Sequence, residues 1–207
     1  MKLTTVTQIS IDGVVQANGG PVENGRLVLE RGGWARGVSD REALTSIREV
    51  YQRADAFLFG RRTYDLFAGY WGAKTDPGDP IAGPLNARPK YVASNTLGTA
   101  TWADTTVLSG DVEAAIRTLK AAPGGELQVH GSGALIRWLL ERDLVDEMTL
   151  LIVPVVLGQG TRLFADNGPD IALELVDSRV DSKGVTIQVY RPNGRPQYRP
   201  SLPDHLK

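Results

Sequence analysis

"ADAFLFGRRTYDLF", residues 54–67, joins an apolar run to a turn that carries two cations and a hydroxyl. The run is typical of a buried strand, and a short helix is predicted to follow it over 61–68. The turn consists of Gly60, Arg61, Arg62 and Thr63. The first N–H groups of a helix have no intrahelical partners and favour an anion, and the planar arginine fork suits phosphate. The turn therefore predicts either a phosphate-binding site or a pair of solvated or ion-paired surface arginines.

A second strand-to-helix turn follows the predicted strand 126–130 and contains His130, Gly131, Ser132 and Gly133. It lacks the third glycine of the dinucleotide fingerprint and the lysine of a Walker A loop, so a plain tight turn is the alternative. A lone histidine here is more typical of a structural residue than of a catalytic one. Ligands of open α/β sheets bind outside the carboxyl ends of the strands. Together, the two turns predict a dinucleotide that carries several phosphates.

The remaining pattern alternates strands with helices. Strands are predicted at 3–12, 90–94, 105–109 and 147–158, the last with a bend at Pro154, and helices at 39–53 and 111–121. A Gly-rich loop covers 13–38, and a β-hairpin turn is predicted at 181–184. The alternation predicts an α/β fold with a mostly parallel central sheet flanked by helices, to which the C-terminal hairpin adds antiparallel strands.

Composition excludes several classes of function. The 207 residues are 42% hydrophobic and carry a net charge of −1, so no basic field favours nucleic acid. There is no cysteine and there are only two histidines, His130 and His205, so no metal site is predicted. The absence of a signal sequence and of a membrane-spanning run leads us to expect a cytoplasmic protein without membrane partners.

Four stretches in order carry a family resemblance: "SIDG" (10–13), "DAFLFGRRTY" (55–64), "KYVASNTL" (90–97) and the segment 130–164. Over residues 2–191 the chain resembles the dihydrofolate reductase superfamily, in the branch of the C-terminal reductase domain of bacterial riboflavin biosynthesis. The resemblance implies a dihydrofolate reductase-like domain over residues 1–191. The Pro-rich tail, 192–207, is unmatched and is expected to be extended or disordered, or to wrap a partner subunit.

The resemblance also implies NADPH as the cofactor, held across the strand ends. By position, the 2′-phosphate and diphosphate would be bound by Gly60, Arg61, Arg62 and Thr63. The adenosine end would be held by Ser94 and Asn95. The diphosphate would also rest on the helix that begins with Gly131, Ser132, Gly133, Ala134 and Leu135. The nicotinamide would meet backbone atoms of Gln8 and Val15.

The resulting hypothesis is an NADPH-dependent oxidoreductase that transfers hydride to an imine or carbonyl carbon of a small pteridine- or pyrimidine-like heterocycle. Asp12 is the candidate for a proton-handling or orienting role. Aromatic residues that could stack on the substrate, or only cover the core, are Trp34, Tyr70 and Trp71. A homodimer is expected, since relatives of this kind often pair through the last strands of the sheet.

Two alternatives remain at this point. One is an NADPH-binding protein without catalysis, acting as a sensor or assembly part. The other is a true dihydrofolate reductase. That reading needs a carboxylate on the first helix, where Glu42 and Glu49 are available but Leu44 or a near neighbour occupies the matching place.

Overall fold

The computed structural model describes residues 1–23, 25–38, 41–164, 166 and 168–198, with residues 41–44 described by their backbone only. The strands are β1 (Lys2–Ser10), β2 (Val22–Glu23), β3 (Arg26–Leu27), β4 (Ala54–Gly60), β5 (Lys90–Ala93), β6 (Thr105–Leu108), β7 (Glu126–His130), β8 (Glu147–Val153), β9 (Leu173–Val180) and β10 (Thr186–Pro192). The helices are α1 (Arg41–Gln52), α2 (Arg61–Tyr70), α3 (Ala82–Ala87), α4 (Val112–Ala121) and α5 (Gly133–Leu140). Within these ranges, every helix is too short or too polar to cross a bilayer.

Eight strands form one sheet in the order β6-β5-β4-β7-β1-β8-β10-β9. Every pairing from β6 to β8 is parallel, whereas β10 is antiparallel to both of its neighbours. The predicted α/β fold, with a mostly parallel sheet and a C-terminal antiparallel hairpin, is confirmed. Because six strands run the same way, their carboxyl ends meet at a single edge of the sheet, which brings the two predicted turns together.

Helices cover both faces of the sheet. Because successive side chains of a strand point to opposite faces, β4 contributes to a core on each side. On one face, Ala56 and Leu58 of β4 pack with Ile116 of α4 and Leu139 of α5. On the other face lies a second cluster, in which β4 contributes aromatic rings to a core shared with α1, α2 and α3. Its buried members are Tyr51, Ala54, Phe57, Phe59, Tyr64, Leu85, Val92 and Trp102.

Three details of the structure depart from the predicted elements or add to them. The strand expected over 147–158 ends at Val153, because Pro154 has no N–H to donate to a neighbouring strand. The long loop after α2 contains the short helix α3, at whose start Asp79 Oδ1 accepts from the backbone N–H groups of Ile81 and Ala82 at 2.9 Å each. The Gly-rich loop contains the two-stranded pair β2–β3.

The C-terminal part stays attached beyond the expected boundary at residue 191. Strand β10 continues to Pro192. Next, the N–H of Asn193 donates to Ala172 O at 2.7 Å, and the N–H of Ala172 donates to Gly194 O at 2.9 Å. The first tail residues are therefore tied to the segment before β9. Residues 199–207 of the predicted extended tail lie outside the described residues.

Candidate functional site

The two predicted turns are hydrogen-bonded to each other at the carboxyl edge of the sheet. The N–H of Gly60 donates to Ser132 Oγ at 3.0 Å, and the N–H of Ser132 donates to Thr63 Oγ1 at 3.1 Å. These two bonds join the turn after β4 to the turn after β7, which is the adjacent strand. The sequence-predicted phosphate positions thus form one unit rather than two separate loops.

Both helices of this unit begin without a side-chain cap. Ser132 is the N-cap residue of α5 and has a hydroxyl that could cap it, yet that hydroxyl accepts from Gly60 instead. Ser132 has a positive φ of 52° and Gly131 one of 59°, and this left-handed pair turns the chain sharply into α5. The first N–H groups of α2 and α5 are the groups that a bound anion would satisfy.

The two arginines are engaged with carboxylates. Arg61 Nε lies 2.8 Å from Asp65 Oδ2, one turn along the same helix. Arg62 Nη2 lies 2.6 Å from Glu23 Oε2, on the Gly-rich loop. Both side chains thus have the geometry of ion-paired surface arginines, which was the alternative. Binding of phosphate by these arginines requires that at least one ion pair open, or that its arginine contact the phosphate and the carboxylate together.

At the end of β5, the predicted adenosine-binding side chains fix the local backbone. Ser94 Oγ accepts from the N–H groups of Thr96 and Leu97 at 3.2 and 3.1 Å. Asn95 Oδ1 accepts from the N–H of Gly110, beyond β6, at 3.1 Å. Ser94 and Asn95 lie at the same edge as Gly60, one strand further out, so the structure brings them to the predicted side of the sheet.

The two predicted nicotinamide positions, Gln8 on β1 and Val15 in the loop after it, contact different neighbours. Gln8 Oε1 accepts from Asn18 Nδ2 at 2.8 Å. Val15 lies over the start of α5, where a Cβ added to Gly133 would come within 3.2 Å of Val15 Cγ2. The close approach of Val15 to the first turn of α5 therefore requires glycine, or a small shift of Val15, at position 133.

Asp12 is a structural anion. Its carboxylate accepts from Ser10 Oγ at 2.7 Å and from the N–H groups of Leu157 and Gly158 at 3.1 and 2.8 Å. These hydrogen bonds, first that from Ser10, lower the pKa of Asp12 to about 2. Asp12 is therefore ionised at neutral pH and joins the end of β1 to the loop after β8. Of the two predicted roles of Asp12, this geometry fits the orienting one, and the low pKa argues against proton donation by its carboxyl group.

A groove lies between α1 and the outer strands of the sheet. A cavity of about 250 Å³ is lined by α1, β1, β8, β9 and β10, through residues that include Ile47, Val50, Thr149, Asp177 and Arg179. A smaller adjoining cavity shares Ser46, Ile47, Leu151 and Ile187 with it and extends to Gln8. The groove thus runs along the sheet from its interior to the strand end that carries the predicted nicotinamide position.

Only one of the three predicted stacking residues lies near this groove. Trp34 donates from Nε1 to Gln16 O at 2.9 Å and packs against the cluster of Val153, Val185 and Ile187. Tyr70 and Trp71 are at the far end of α2. There Trp71 O accepts from Asn86 Nδ2 at 3.1 Å, and Asn86 Oδ1 accepts from Trp102 Nε1 at 2.7 Å, beside the start of β6.

That arrangement places Tyr70 and Trp71 at the amino-terminal edge of the sheet. Helix α2 starts at the carboxyl edge and runs back along the sheet, and its ten residues cover about 15 Å. The structure therefore does not bring Tyr70 and Trp71 to the groove or to the turns. Instead, Lys74 Nζ lies 4.9 Å from the ring centre of Tyr70 and 4.5 Å from that of Trp71.

His130 supports the second turn from inside the core. Its ring is stacked on Tyr51 with the ring centres 4.2 Å apart, and Nε2 lies 2.9 Å from Gln128 Oε1. Burial disfavours the charged imidazolium and lowers the pKa of His130 to about 3. His130 is therefore a neutral structural histidine, as its isolation in the sequence predicted.

Residues 1–187 match the model of one protein family, the RibD C-terminal domain. The chain belongs to that family. The RibD C-terminal domain is a reductase domain, which makes an oxidoreductase of the riboflavin-pathway type the activity class of this family. The family resemblance inferred from the four sequence stretches is confirmed over almost the whole described chain.

Two similar proteins come from Bacillus subtilis (strain 168), and neither has a characterised function. YyaP is 32% identical over 148 residues, which is 70% of this chain and 78% of YyaP. YwjB is 23% identical over 183 residues, which is 88% of this chain and 94% of YwjB. Neither name indicates a substrate.

Solved structures confirm the fold. A protein of Shewanella sp. PV-4, provisionally assigned to riboflavin biosynthesis, superposes with a TM-score of 0.69 at 23% identity, covering 93% of this chain and 99% of that chain. A pyrimidine reductase-like protein of Corynebacterium diphtheriae NCTC gives a TM-score of 0.60 at 15% identity, with 93% and 92% covered. The chain therefore has the dihydrofolate reductase-like fold of RibD C-terminal domains.

Sequence reasoning missed the groove of this RibD C-terminal domain, because five separate elements line it. Part of its wall could have been predicted: Ser46, Ile47 and Val50 of α1, and Arg53 directly after it, recur at helical spacing on one side. Glu49 of α1 also lines the cavity, whereas the side chain of Glu42 lies outside the described residues. Within the described ranges, no three His, Asp or Glu side chains lie close enough together to hold a metal ion.

Proposed function

We propose that this RibD C-terminal domain is an NADPH-dependent reductase that transfers hydride to an imine or carbonyl carbon of a small heterocycle. The observation that carries the proposal is the linked pair of uncapped helix N-termini at adjacent strand ends, with Arg61 and Arg62 in the first turn of α2. One such turn accepts a single anion, whereas two turns joined side by side suit a ligand with several phosphates.

The residues present fit a dinucleotide phosphate. The first N–H groups of α5 would hold the diphosphate, and Arg61 or Arg62 would hold the 2′-phosphate that distinguishes NADPH from NADH. Arginine donates parallel hydrogen bonds to phosphate oxygens and keeps its charge at all relevant pH values. Gly131 and Gly133 let the backbone approach the ligand closely, and Val15 would cover the nicotinamide end beside α5.

When bound, the cofactor supplies the hydride, and the chain supplies position and a dry surface. The groove beside α1 is the proposed substrate site because it extends to Gln8 at the strand ends and is mostly apolar there, with Leu151, Val153 and Ile187. Such a surface suits a flat heterocycle. Since Asp12 is ionised, we assign it the orienting role: it holds the loop after β8 against the end of β1.

Calorimetric titration with NADPH and NADH tests the cofactor. Replacing Arg61 and Arg62 together by alanine should weaken NADPH binding by at least about tenfold, since each charge-assisted hydrogen bond contributes about 1.5–3 kcal/mol. NADH binding should change much less. Arg117→Ala is the matched control, because Arg117 also forms an i,i+4 ion pair on an exposed helix face, with Glu113. An equal loss for both cofactors would refute the role of the arginines.

The reaction is tested by following NADPH absorbance with a panel of pteridines, pyrimidines and dihydrofolate. Dihydrofolate belongs in the panel because Glu49, a carboxylate of α1, lines the cavity. Consumption of NADPH with a heterocycle supports the reductase. Binding of NADPH without consumption by any of them would favour the non-catalytic sensor, and no binding of either cofactor would refute the proposal.

We also propose that the chain forms a homodimer through β9. This strand is one of the two edge strands of the sheet, and all eight of its residues are exposed, including Val180 at 63%. Exposed edge strands of this length readily pair with another strand. Antiparallel pairing of two copies about Ser178 would set Asp177 of one copy opposite Arg179 of the other, which joins opposite charges.

A further inference from the structure

Glu23 of β2 contacts the first turn of α2, although 39 positions separate it from Arg62. Its Oε2 accepts from Arg62 Nη2 at 2.6 Å and from Arg62 Nε at 3.0 Å. The carboxylate is the more buried partner, with its side chain 19% exposed against 62% for Arg62. The Gly-rich loop therefore pairs the carboxylate of Glu23 with Arg62, a side chain that the sequence predicts to bind phosphate.

The position of Glu23 is set by the backbone of the loop. β2 pairs with β3, and the N–H of Val28 donates to Pro21 O at 2.8 Å. A Cβ at Gly32 would lie 2.4 Å from Pro21 Cα, so the two sides of the loop can approach this closely only with glycine there. A packed scaffold thus holds Glu23 towards α2, and the contact does not depend on one long side chain alone.

The other arginine differs in this respect. Arg61 pairs with Asp65 inside α2 itself, so a ligand that recruits Arg61 need not disturb any other element. Glu23 and Arg62 belong to different parts of the fold. A phosphate that recruits the Nε and Nη2 groups of Arg62 must take them from Glu23, because two anions on the same donors repel each other.

We propose that Glu23 is an internal competitor for the cofactor's 2′-phosphate, and that its displacement from Arg62 helps to set the affinity for NADPH relative to NADH. The inference rests on the proposed function, because it takes Arg62 as a phosphate ligand. In the free protein the carboxylate of Glu23 neutralises Arg62. In the complex the phosphate replaces the carboxylate, so the opening of one exposed ion pair opposes binding.

The test is calorimetric titration with adenosine 2′,5′-bisphosphate, which carries the 2′-phosphate without the nicotinamide, and with 5′-AMP, which lacks it. An exposed ion pair is worth up to about a fivefold change in an equilibrium constant. Glu23→Gln removes the charge and keeps the shape. It should therefore tighten the bisphosphate about two- to fivefold and change 5′-AMP less.

Two controls isolate the effect. Glu30→Gln makes the same chemical change at an exposed carboxylate of the same loop and should leave both affinities unchanged. In an Arg62→Ala background, Glu23→Gln should no longer tighten the bisphosphate. Circular dichroism of each variant checks that the fold is retained.

The outcomes separate this inference from the proposed function. If the wild-type protein binds the bisphosphate and Glu23→Gln binds it equally well or more weakly, the competitor role is refuted while the cofactor proposal stands. An effect that persists without Arg62 also refutes the role. If neither the wild type nor any variant binds the bisphosphate or NADPH, the proposed function fails, and the inference fails with it.

Discussion

The stability of this domain should fall with acid because His130 is buried in the neutral form. Its pKa is lowered from 6.5 to about 3 in the folded protein by burial. An unfolded chain takes up the proton below pH 6.5, whereas the folded chain resists until about pH 3, so lowering the pH favours unfolding over that window. At about 1.4 kcal/mol per pH unit, the free energy of unfolding should be about 2 kcal/mol lower at pH 5 than at pH 7 from this residue alone.

Urea denaturation at several pH values measures this loss, and His130→Phe is the matched variant. Phenylalanine keeps a flat ring against Tyr51 and Phe57 but cannot be protonated. It gives up the contact with Gln128, so its stability at pH 7 is expected to be lower. The decisive quantity is the fall in the free energy of unfolding from pH 7 to pH 5, which should be smaller by about 2 kcal/mol in the variant, so that its slope against pH is shallower. Equal slopes would refute the assignment of a buried neutral histidine.

Three further predictions concern the site and the dimer. Ser132→Ala leaves the N–H of Gly60 without its acceptor and should lower the free energy of unfolding by about 1–3 kcal/mol in chemical denaturation. Thr63→Val should lower the free energy of unfolding by less in the Ser132→Ala variant than in the wild type, because the two residues belong to one hydrogen-bonded unit. Asp12→Asn should lower the melting temperature above pH 5, a difference that shrinks as pH falls from about 4 to 2 because the wild-type carboxylate then protonates. It should leave the acid limb of any pH–rate profile in place. Val180→Glu should turn a dimer into a monomer in light scattering, and an unchanged mass would exclude pairing through β9.

The sequence predicted the turns well because their chemistry is local and their meeting place follows from topology. Each turn can be predicted from its own residues, without any knowledge of the rest of the chain. One is a strand that ends in glycine and is followed by arginines, and the other is a strand followed by a Gly-Ser-Gly run. Parallel strands then bring their carboxyl ends to one edge. Both steps hold for Gly60 and Gly131, and the family resemblance adds the order of the strands.

Only one of the two arginine partners could be predicted, because the other depends on a tertiary contact. Arg61–Asp65 has the i,i+4 spacing of a helical ion pair and was visible in principle. Arg62–Glu23 joins a helix to a loop whose path is set by backbone contacts such as the close approach at Gly32. No pattern in the sequence encodes that path.

Tyr70 and Trp71 show a second limit of prediction from sequence, which concerns the direction in which a helix leaves the edge of the sheet. Both are candidates for stacking because they lie in a Gly-rich stretch that is expected to be a loop after the helix predicted over 61–68. A helix that starts at that edge moves away from it by about 1.5 Å per residue, so residues at its end reach the opposite edge. Candidate residues beyond the first two turns of such a helix should be expected far from the ligand.

If the protein is the proposed reductase, the different polarities of the strand-end turns and of the groove would direct the cofactor phosphates and the heterocycle to separate regions. At the strand ends, backbone N–H groups and arginines face outward, which suits phosphate and would leave a neutral ring without partners. The groove beside α1 is mostly apolar where it reaches the strand ends, with Leu151, Val153 and Ile187 close to Gln8, and an anion there would lose its hydration without compensation. Hydride transfer requires the reacting carbons to approach within about 3–3.5 Å. Gln8 lies where the groove reaches the edge, so the region around its side chain is the place where a nicotinamide held from the turns and a heterocycle held in the groove would meet.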